Sequence, residues 1–433
     1  MLATFVQLVL VIVQYYTYLI KMSSASDIQN QLTEVLNSTA KKLNLKKFSL
    51  ELNLNTLKGD GFMGDFYKVS IIDDDTKKRY DLVIKKAPTE KIRREEISID
   101  SAYENEIFFY SEICPAFKKF EEDHGISKPF ASVPEYLFSD GQLGKEIIVL
   151  KDITKEGFVL REKDLLLDDN HARLIFKTYG HFHAISFCLK DQKPEEFSRL
   201  TKLFLNVWNQ FFEKGSFLHI IKSQVKTAYE ALDSREHAEI KVKLKKYVDN
   251  CKEILYECIN YNGKYYAILH GDCWSNNMMF KYQDPQNYSK LEDVKLFDFQ
   301  VPFVGSPVCD LSYFFYSGSS KELFDKLEDY LNIYHESFSK TAKNLGSDPE
   351  KLFPREELTR EWKKYSKFGM MFSFFATKLK LTSKDDAIDF INAENKKTKA
   401  DNGKKFTSIK YDKTLYKKRI EDILIHFHET DIL

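Results

Sequence analysis

His270-Gly271-Asp272-Cys273-Trp274-Ser275-Asn276-Asn277 sets a carboxylate and an amide five residues apart, directly after the apolar run Tyr265–Leu269. This His-x-Asp-x4-Asn spacing suits phosphoryl transfer to a hydroxyl. Such chemistry needs a carboxylate, Asp272, to orient the attacking hydroxyl and take its proton. It also needs an amide oxygen, Asn277, to help hold Mg²⁺. A polar loop after a buried strand is the plainer reading of the motif alone. A second motif is Val294-Lys295-Leu296-Phe297-Asp298-Phe299-Gln300, an apolar strand ending in an acid that lies 26 residues beyond Asp272. Asp298 with Asn277 makes a hard oxygen set suited to Mg²⁺ bridging phosphates.

Two upstream features would complete a nucleotide site. Gly59-Asp60-Gly61-Phe62-Met63-Gly64 is a GxGxxG run. It leads into a strand pattern rather than a helix, so Gly59, Gly61 and Gly64 fit a flap over phosphates better than a dinucleotide turn. Leu82-Val83-Ile84-Lys85 resembles a strand that carries a phosphate-contacting lysine. Lys85 needs a carboxylate partner from the next helix. Glu106 is the first choice, and Glu104, two residues away on another side of that helix, is the fallback. Taken singly, each of these residues reads as solvated surface charge; their order along the chain is what distinguishes them.

The elements that must position these residues can be read from periodicity. Residues 27–45 suggest an amphipathic helix through Ile28, Leu32, Val35 and Leu36. Phe48–Leu57, Phe66–Ile72, Tyr80–Ile84, Val133–Phe138 and Glu146–Leu150 read as strands. Ser98–Ile113 reads as a helix stopped near Pro115. Beyond Leu150 the pattern turns helical, with a cap at Asp168-Asp169-Asn170 and helices near 196–213, 216–232 and 236–259. A β island interrupts it at Tyr265–Leu269, Asn277–Tyr282 and Val294–Phe297. The expectation is an α+β chain with a two-lobed, protein-kinase-like fold. A β-rich nucleotide-binding lobe spans 27–150, and a larger, mainly helical lobe at 151–433 carries the catalytic loop and acceptor site.

With these residues in view, the chain resembles the ecdysteroid kinase-like family, relatives of choline and aminoglycoside phosphotransferases. The resemblance rests on His270–Asn277, Lys295–Gln300, Gly305–Tyr313, Lys85-Lys86-Ala87-Pro88, Glu106–Tyr110 and His183-Ala184. It runs from about residue 30 to the end. It implies ATP- and Mg²⁺-dependent phosphorylation of a small-molecule hydroxyl, typically on a steroid or related lipophilic alcohol. Lys151 departs from the acidic residue more usual there, but that position borders a hinge where backbone groups do the binding.

Other signals are weaker. His181 and His183 form an HxH, but i and i+2 face apart on a helix, and His183 reads as a packing and hydrogen-bonding residue. Asp310 reads as a carboxylate that caps a helix or braces a loop. The aromatic clusters Tyr313–Tyr316 and Phe372–Phe375 suit an acceptor pocket and, more simply, a core.

Composition narrows the classes. The 433 residues carry 65 basic and 65 acidic side chains, so nothing points to a nucleic-acid partner. The six cysteines form no CxxC pair and read as free, mostly buried thiols. Leu2–Ile20 carries no charge, and as a helix it would nearly match a bilayer core of about 30 Å. Three readings of residues 1–21 stand: a signal peptide, disfavoured by the absence of Lys or Arg; an anchor with the catalytic part facing the cytosol; or a segment absent from the mature protein, since Met22-Ser23-Ser24 reads as a start. Membrane association thus hangs on residues 2–20, and the expectation is a cytoplasmic monomer acting on a small molecule. The alternative is a non-catalytic kinase-like carrier of a lipophilic ligand. A protein kinase is the third option, disfavoured because no Ala-Pro-Glu follows Asp298.

Overall fold

The computed structural model describes residues 26–53, 64–89, 94, 98–214, 217–284, 287–382 and 410–433. The first 25 residues, with the apolar segment, lie outside them, as do Gly59 and Gly61. No helix among the described residues is long and apolar enough to cross a membrane. The chain divides into two units. One takes the residues up to Ala87 with Glu135–Asp152; the other takes Pro88–Pro134 with Ile153–Leu433.

The first unit is a five-stranded antiparallel sheet in the order β1-β2-β3-β5-β4. Its strands are β1 (Phe48–Leu52), β2 (Asp65–Asp73), β3 (Arg79–Lys86), β4 (Tyr136–Asp140) and β5 (Ile147–Lys151). Side chains alternate between faces along each strand. One face presents Tyr67, Val69, Ile71, Leu82, Ile84, Ile147 and Val149. The helix over 26–42 covers it with Leu32, Val35, Leu36 and Ala40, spaced as one helical stripe. Pleating therefore sends Lys85 to the other face. It stands opposite Phe66 and Ile148 in the ladder, with its ammonium 5.9 Å from the Phe66 ring centre.

The second unit is mainly helical around two small sheets. The three-stranded sheet runs β6-β8-β9, from β6 (Phe158–Leu160), β8 (Met278–Asp284) and β9 (Asn287–Leu296). The two-stranded one pairs β7 (Ala267–Leu269) with β10 (Phe303–Gly305). The helix Asp169–Gln192 starts where the Asp168 carboxylate accepts from the backbone N–H of His171 at 3.1 Å, as its sequence anticipates. The helices Val308–Gly318 and Lys367–Lys380 cross at Gly369. A Cβ there would lie 2.2 Å from the Ser312 carbonyl carbon, so only glycine permits the approach. A sheet unit and a mainly helical unit agree with the α+β, kinase-like fold expected from the sequence motifs and the family resemblance.

Several elements differ from the sequence reading. The helix Ile99–Phe108 does not stop at Pro115. It passes through a π turn, Phe109–Ile113, into Cys114–Asp123. Pro115 sits in the first turn of that last segment, where a missing N–H is tolerated. The helix expected over 236–259 breaks into Ala238–Asp249 and Cys251–Ile259 at Asn250. The strands β6 and β10 were not foreseen, because three residues are too few for a period to show. All six cysteines are free thiols. Cys114 is half-buried, the other five are fully buried, and desolvation pushes every thiol upward, Cys188, Cys251 and Cys258 to about 12.

Candidate active site

The segment His270–Asn277 leaves the short strand β7, which is held on both sides. Leu269 pairs with Phe303, and the backbone N–H of Ile268 donates to Ser186 Oγ at 2.8 Å. The chain turns at Gly271, whose φ is +83°. It closes a 3₁₀ turn at Ser275–Asn277 and enters β8. The first ladder pair of β8 and β9 is Met278 with Leu296. The Phe297 N–H then donates to the Asn277 carbonyl at 3.1 Å. That register lays Asn277 beside Asp298 although 21 residues separate them.

Three of the sequence-predicted residues therefore come together. The amide nitrogen of Asn277 donates to the Asp272 carbonyl at 2.8 Å and to Asp272 Oδ2 at 2.9 Å. With the nitrogen so committed, the amide oxygen is turned to its other side. Burial pushes the Asp272 carboxyl up to about 7, and the like charge of Asp298 adds to that; hydrogen bonds from Asn277 and Tyr313 pull the other way. Asp298 has a left-handed backbone, φ +69°, which is uncommon for a non-glycine residue. Phe299, next to it, is fully buried between two rings. Its ring stacks on Phe109 at 3.7 Å, and the His270 ring lies 4.2 Å away. These contacts fix the backbone on which Asp298 is displayed.

His270 orients the loop rather than entering the chemistry. Its Nε2–H donates to the Phe297 carbonyl at 2.9 Å, which leaves Nδ1 to accept the Asp272 N–H at 3.3 Å. Burial pushes its basicity down, keeping the ring neutral. Behind it stands Asp310, completely buried at the start of the helix Val308–Gly318. Asp310 accepts the His270 N–H at 2.8 Å, the Gly271 N–H at 2.9 Å and His183 Nε2–H at 3.3 Å. Its carbonyl accepts the Cys273 thiol at 2.9 Å. Burial works against its charge, but His183 and the backbone donors outweigh that and hold it below the usual carboxylate range. Asp310 thus braces the loop, one of its two sequence readings. His183, with Tyr334 on its other nitrogen at 3.2 Å, has the packing and hydrogen-bonding role expected of it. His181 turns elsewhere, to Glu121 at 2.6 Å.

Gly271 has no substitute at this turn. A Cβ would meet the Val301 carbonyl oxygen at 2.1 Å, and the positive φ adds strain. Gly271→Ala is expected to lower stability by about 2–4 kcal/mol. Urea unfolding checks this, and an unchanged midpoint would contradict it.

The remaining predicted residues are placed singly. Lys85 is buried on β3 in the first unit. Glu106, on Ile99–Phe108 in the second unit, is buried, whereas its fallback Glu104 is exposed. Gly64 directly precedes β2. Two contributors escaped the sequence reading. Tyr313, read as pocket or core, reaches the Asp272 carboxylate with its hydroxyl. Lys380, buried at the end of Lys367–Lys380, donates to Ser275 Oγ at 2.7 Å and to the Ser317 carbonyl at 2.8 Å. Neither carries a local signal, because both reach the loop from distant helices.

Among the described residues no three His, Cys, Asp or Glu side chains gather as a metal-ligand set. The chemistry here is instead the Asp298 carboxylate and the Asn277 amide oxygen, a partial hard-oxygen shell that phosphate oxygens and water would complete. That donor set fits Mg²⁺ held with a nucleotide. Among curated proteins, none matches the chain. A sequence model of the ecdysteroid kinase-like family matches residues 58–347, a span that takes in Lys85, Glu106, Asp272, Asn277, Asp298 and Asp310. The match covers well over half of the chain, which therefore belongs to the ecdysteroid kinase-like family.

Proposed function

We propose that the protein transfers the terminal phosphoryl group of ATP to a hydroxyl of a small lipophilic molecule, an ecdysteroid or a xenobiotic alcohol. The observation that carries this is the meeting of Asp272, Asn277 and Asp298 at one end of the β8–β9 ladder. Asn277 and Asp298 would hold the Mg²⁺, which with the nucleotide supplies charge neutralisation for the transferred group. Lys85, Glu106 and the glycines Gly59, Gly61 and Gly64 would serve the nucleotide, as the sequence motifs imply. Asp272 orients the acceptor hydroxyl and takes its proton on the carboxylate. Tyr313 and Asn277 hold that carboxylate in place from two sides. In this scheme the protein works by positioning and electrostatics, with no covalent intermediate.

The aromatic side chains beside Asp272 are buried and pack on one another as core. Tyr313 lies 5.3 Å from Phe372, and Phe372 lies 4.8 Å from Trp208. The lipophilic character of the acceptor is inferred from the family match. The test is ATP consumption with Mg²⁺ across a panel of hydroxylated compounds, including steroids, with mass detection of product. The expected result is a phosphorylated product from at least one lipophilic alcohol. Tight binding of such compounds without any product would overturn the reading in favour of a carrier.

A further inference from the structure

Three cations meet in the second unit, and among the described residues no carboxylate is bonded to any of them. Lys380 is 1% exposed and spends its ammonium on Ser275 Oγ and the Ser317 carbonyl. Arg161, just after β6, donates Nη2–H to the Leu166 carbonyl at 2.8 Å. Arg419, on the helix Lys413–Glu429, donates Nη2–H to the Asp164 carbonyl at 2.7 Å. Among the described residues, the Nε of Arg161 and both Nε and Nη1 of Arg419 are buried and meet no partner. Ser319 Oγ, also buried and unpartnered, sits where Ser319 bridges to Leu167 on the same 161–167 loop. Burial, and then the charges of Arg419 and Arg161, push the Lys380 ammonium down to about 7, so the three cations feel one another. The acids whose charge these groups feel are otherwise engaged or exposed: Asp168 caps its helix at His171, Asp412 caps its helix at Leu415, and Asp164 is exposed.

Converging cations with buried, unsatisfied N–H donors are unfavourable by themselves, since each orphaned donor loses its hydration and repulsion is strong away from water. An oxyanion supplies what is missing: negative charge and several acceptor oxygens for guanidinium donors. We propose that Arg161, Lys380 and Arg419 form an oxyanion-binding site of the phosphate type on the reverse of the catalytic loop. Its ligand is inorganic phosphate or the phosphate group of a small monoester. The site is wired to the chemistry through one bond. Lys380 holds Ser275, the first residue of the 3₁₀ turn that ends at Asn277. A bound anion keeps Lys380 charged and the turn held; an empty site leaves Lys380 to lose its proton near neutrality. The binding itself does not rest on the phosphotransferase reading.

The test is calorimetric titration of the whole protein with inorganic phosphate and, separately, with phenyl phosphate, against chloride at matched ionic strength. The wild type is compared with Arg419→Gln, Arg161→Gln and Lys85→Met. The expected result is saturable phosphate binding, weakened roughly tenfold to a hundredfold in either arginine variant. It should be retained in Lys85→Met, which removes a phosphate contact of the proposed nucleotide site. Stronger binding of phenyl phosphate would identify a monoester as the ligand, and equal binding the free ion. If Arg419→Gln does not fold, Arg161→Gln carries the same comparison. No saturable phosphate binding, as when a carboxylate of the chain fills the site, would overturn the proposal. So would loss of binding in Lys85→Met alone.

Discussion

Asp272→Asn is expected to keep near wild-type affinity for ATP and to lose about 10²–10⁴-fold in kcat, the scale of a missing general base. The substitution preserves size and the hydrogen bonds with Asn277 and Tyr313, so the loop keeps its shape. What disappears is the charge that, in the proposed mechanism, takes the acceptor's proton, a group needed in the transition state rather than in binding. Single-turnover assays and calorimetric ATP binding with Mg²⁺ separate the two effects. Weakened ATP binding with an unchanged chemical step would move Asp272 into the metal shell. The same carboxyl, pushed up to about 7 by burial and by Asp298, gives a pH signature. A raised value means that protons bind as the pH falls through about 7, so single-turnover rates in the wild type should decline on the acid side. Asp272→Asn should flatten that limb.

Asp298→Asn should act differently. It is expected to reduce turnover by on the order of 10³-fold or more, the scale on which charged groups act in phosphoryl transfer. It should also raise the Mg²⁺ concentration needed for half-maximal rate, because a neutral amide holds a hard cation less well than a carboxylate. Phe109 and His270 grip the neighbouring Phe299, so the fold should survive, and circular dichroism with a thermal midpoint checks that. A folded variant with near wild-type turnover and unchanged Mg²⁺ dependence would remove Asp298 from the site. The two variants therefore divide the labour of the acids: one alters the chemical step alone, the other both the step and its metal requirement.

What the sequence revealed of this site, it revealed through short-range constraint. Asp272 and Asn277 lie within one turn of chain, and Asp298 ends the hairpin that starts at Asn277, so local spacing encoded their meeting. Asp310 was legible as a bracing acid but not as the acceptor for His270 and Gly271, since that pairing spans about 40 residues and depends on where the helix Val308–Gly318 docks. Tyr313 and Lys380 were harder still. Lys380 reaches Ser275 across 105 residues, and a lysine in a helical pattern reads as solvated charge. The first sheet and the amphipathic helix followed from alternation and from the stripe Ile28, Leu32, Val35 and Leu36. The π turn at Phe109–Ile113 did not, because one extra residue within a helix leaves the apolar pattern almost unchanged.

The buried thiols give this protein a built-in reporter of its own opening. Thiolates react and thiols do not, and every cysteine here is pushed toward the thiol form, so a native sample should resist alkylation. Each site then labels only when its surroundings come apart. Cys273 lies in the His270–Asn277 loop, bonded to the Asp310 carbonyl, whereas Cys251 and Cys258 lie within a helix of the same unit. Peptide-resolved labelling rates would thus time the breathing of the loop against that of the helical core, without any introduced probe. Equal rates would mean that loop and core open as one cooperative block; faster labelling at Cys273 would mark the loop as a separate, weaker unit.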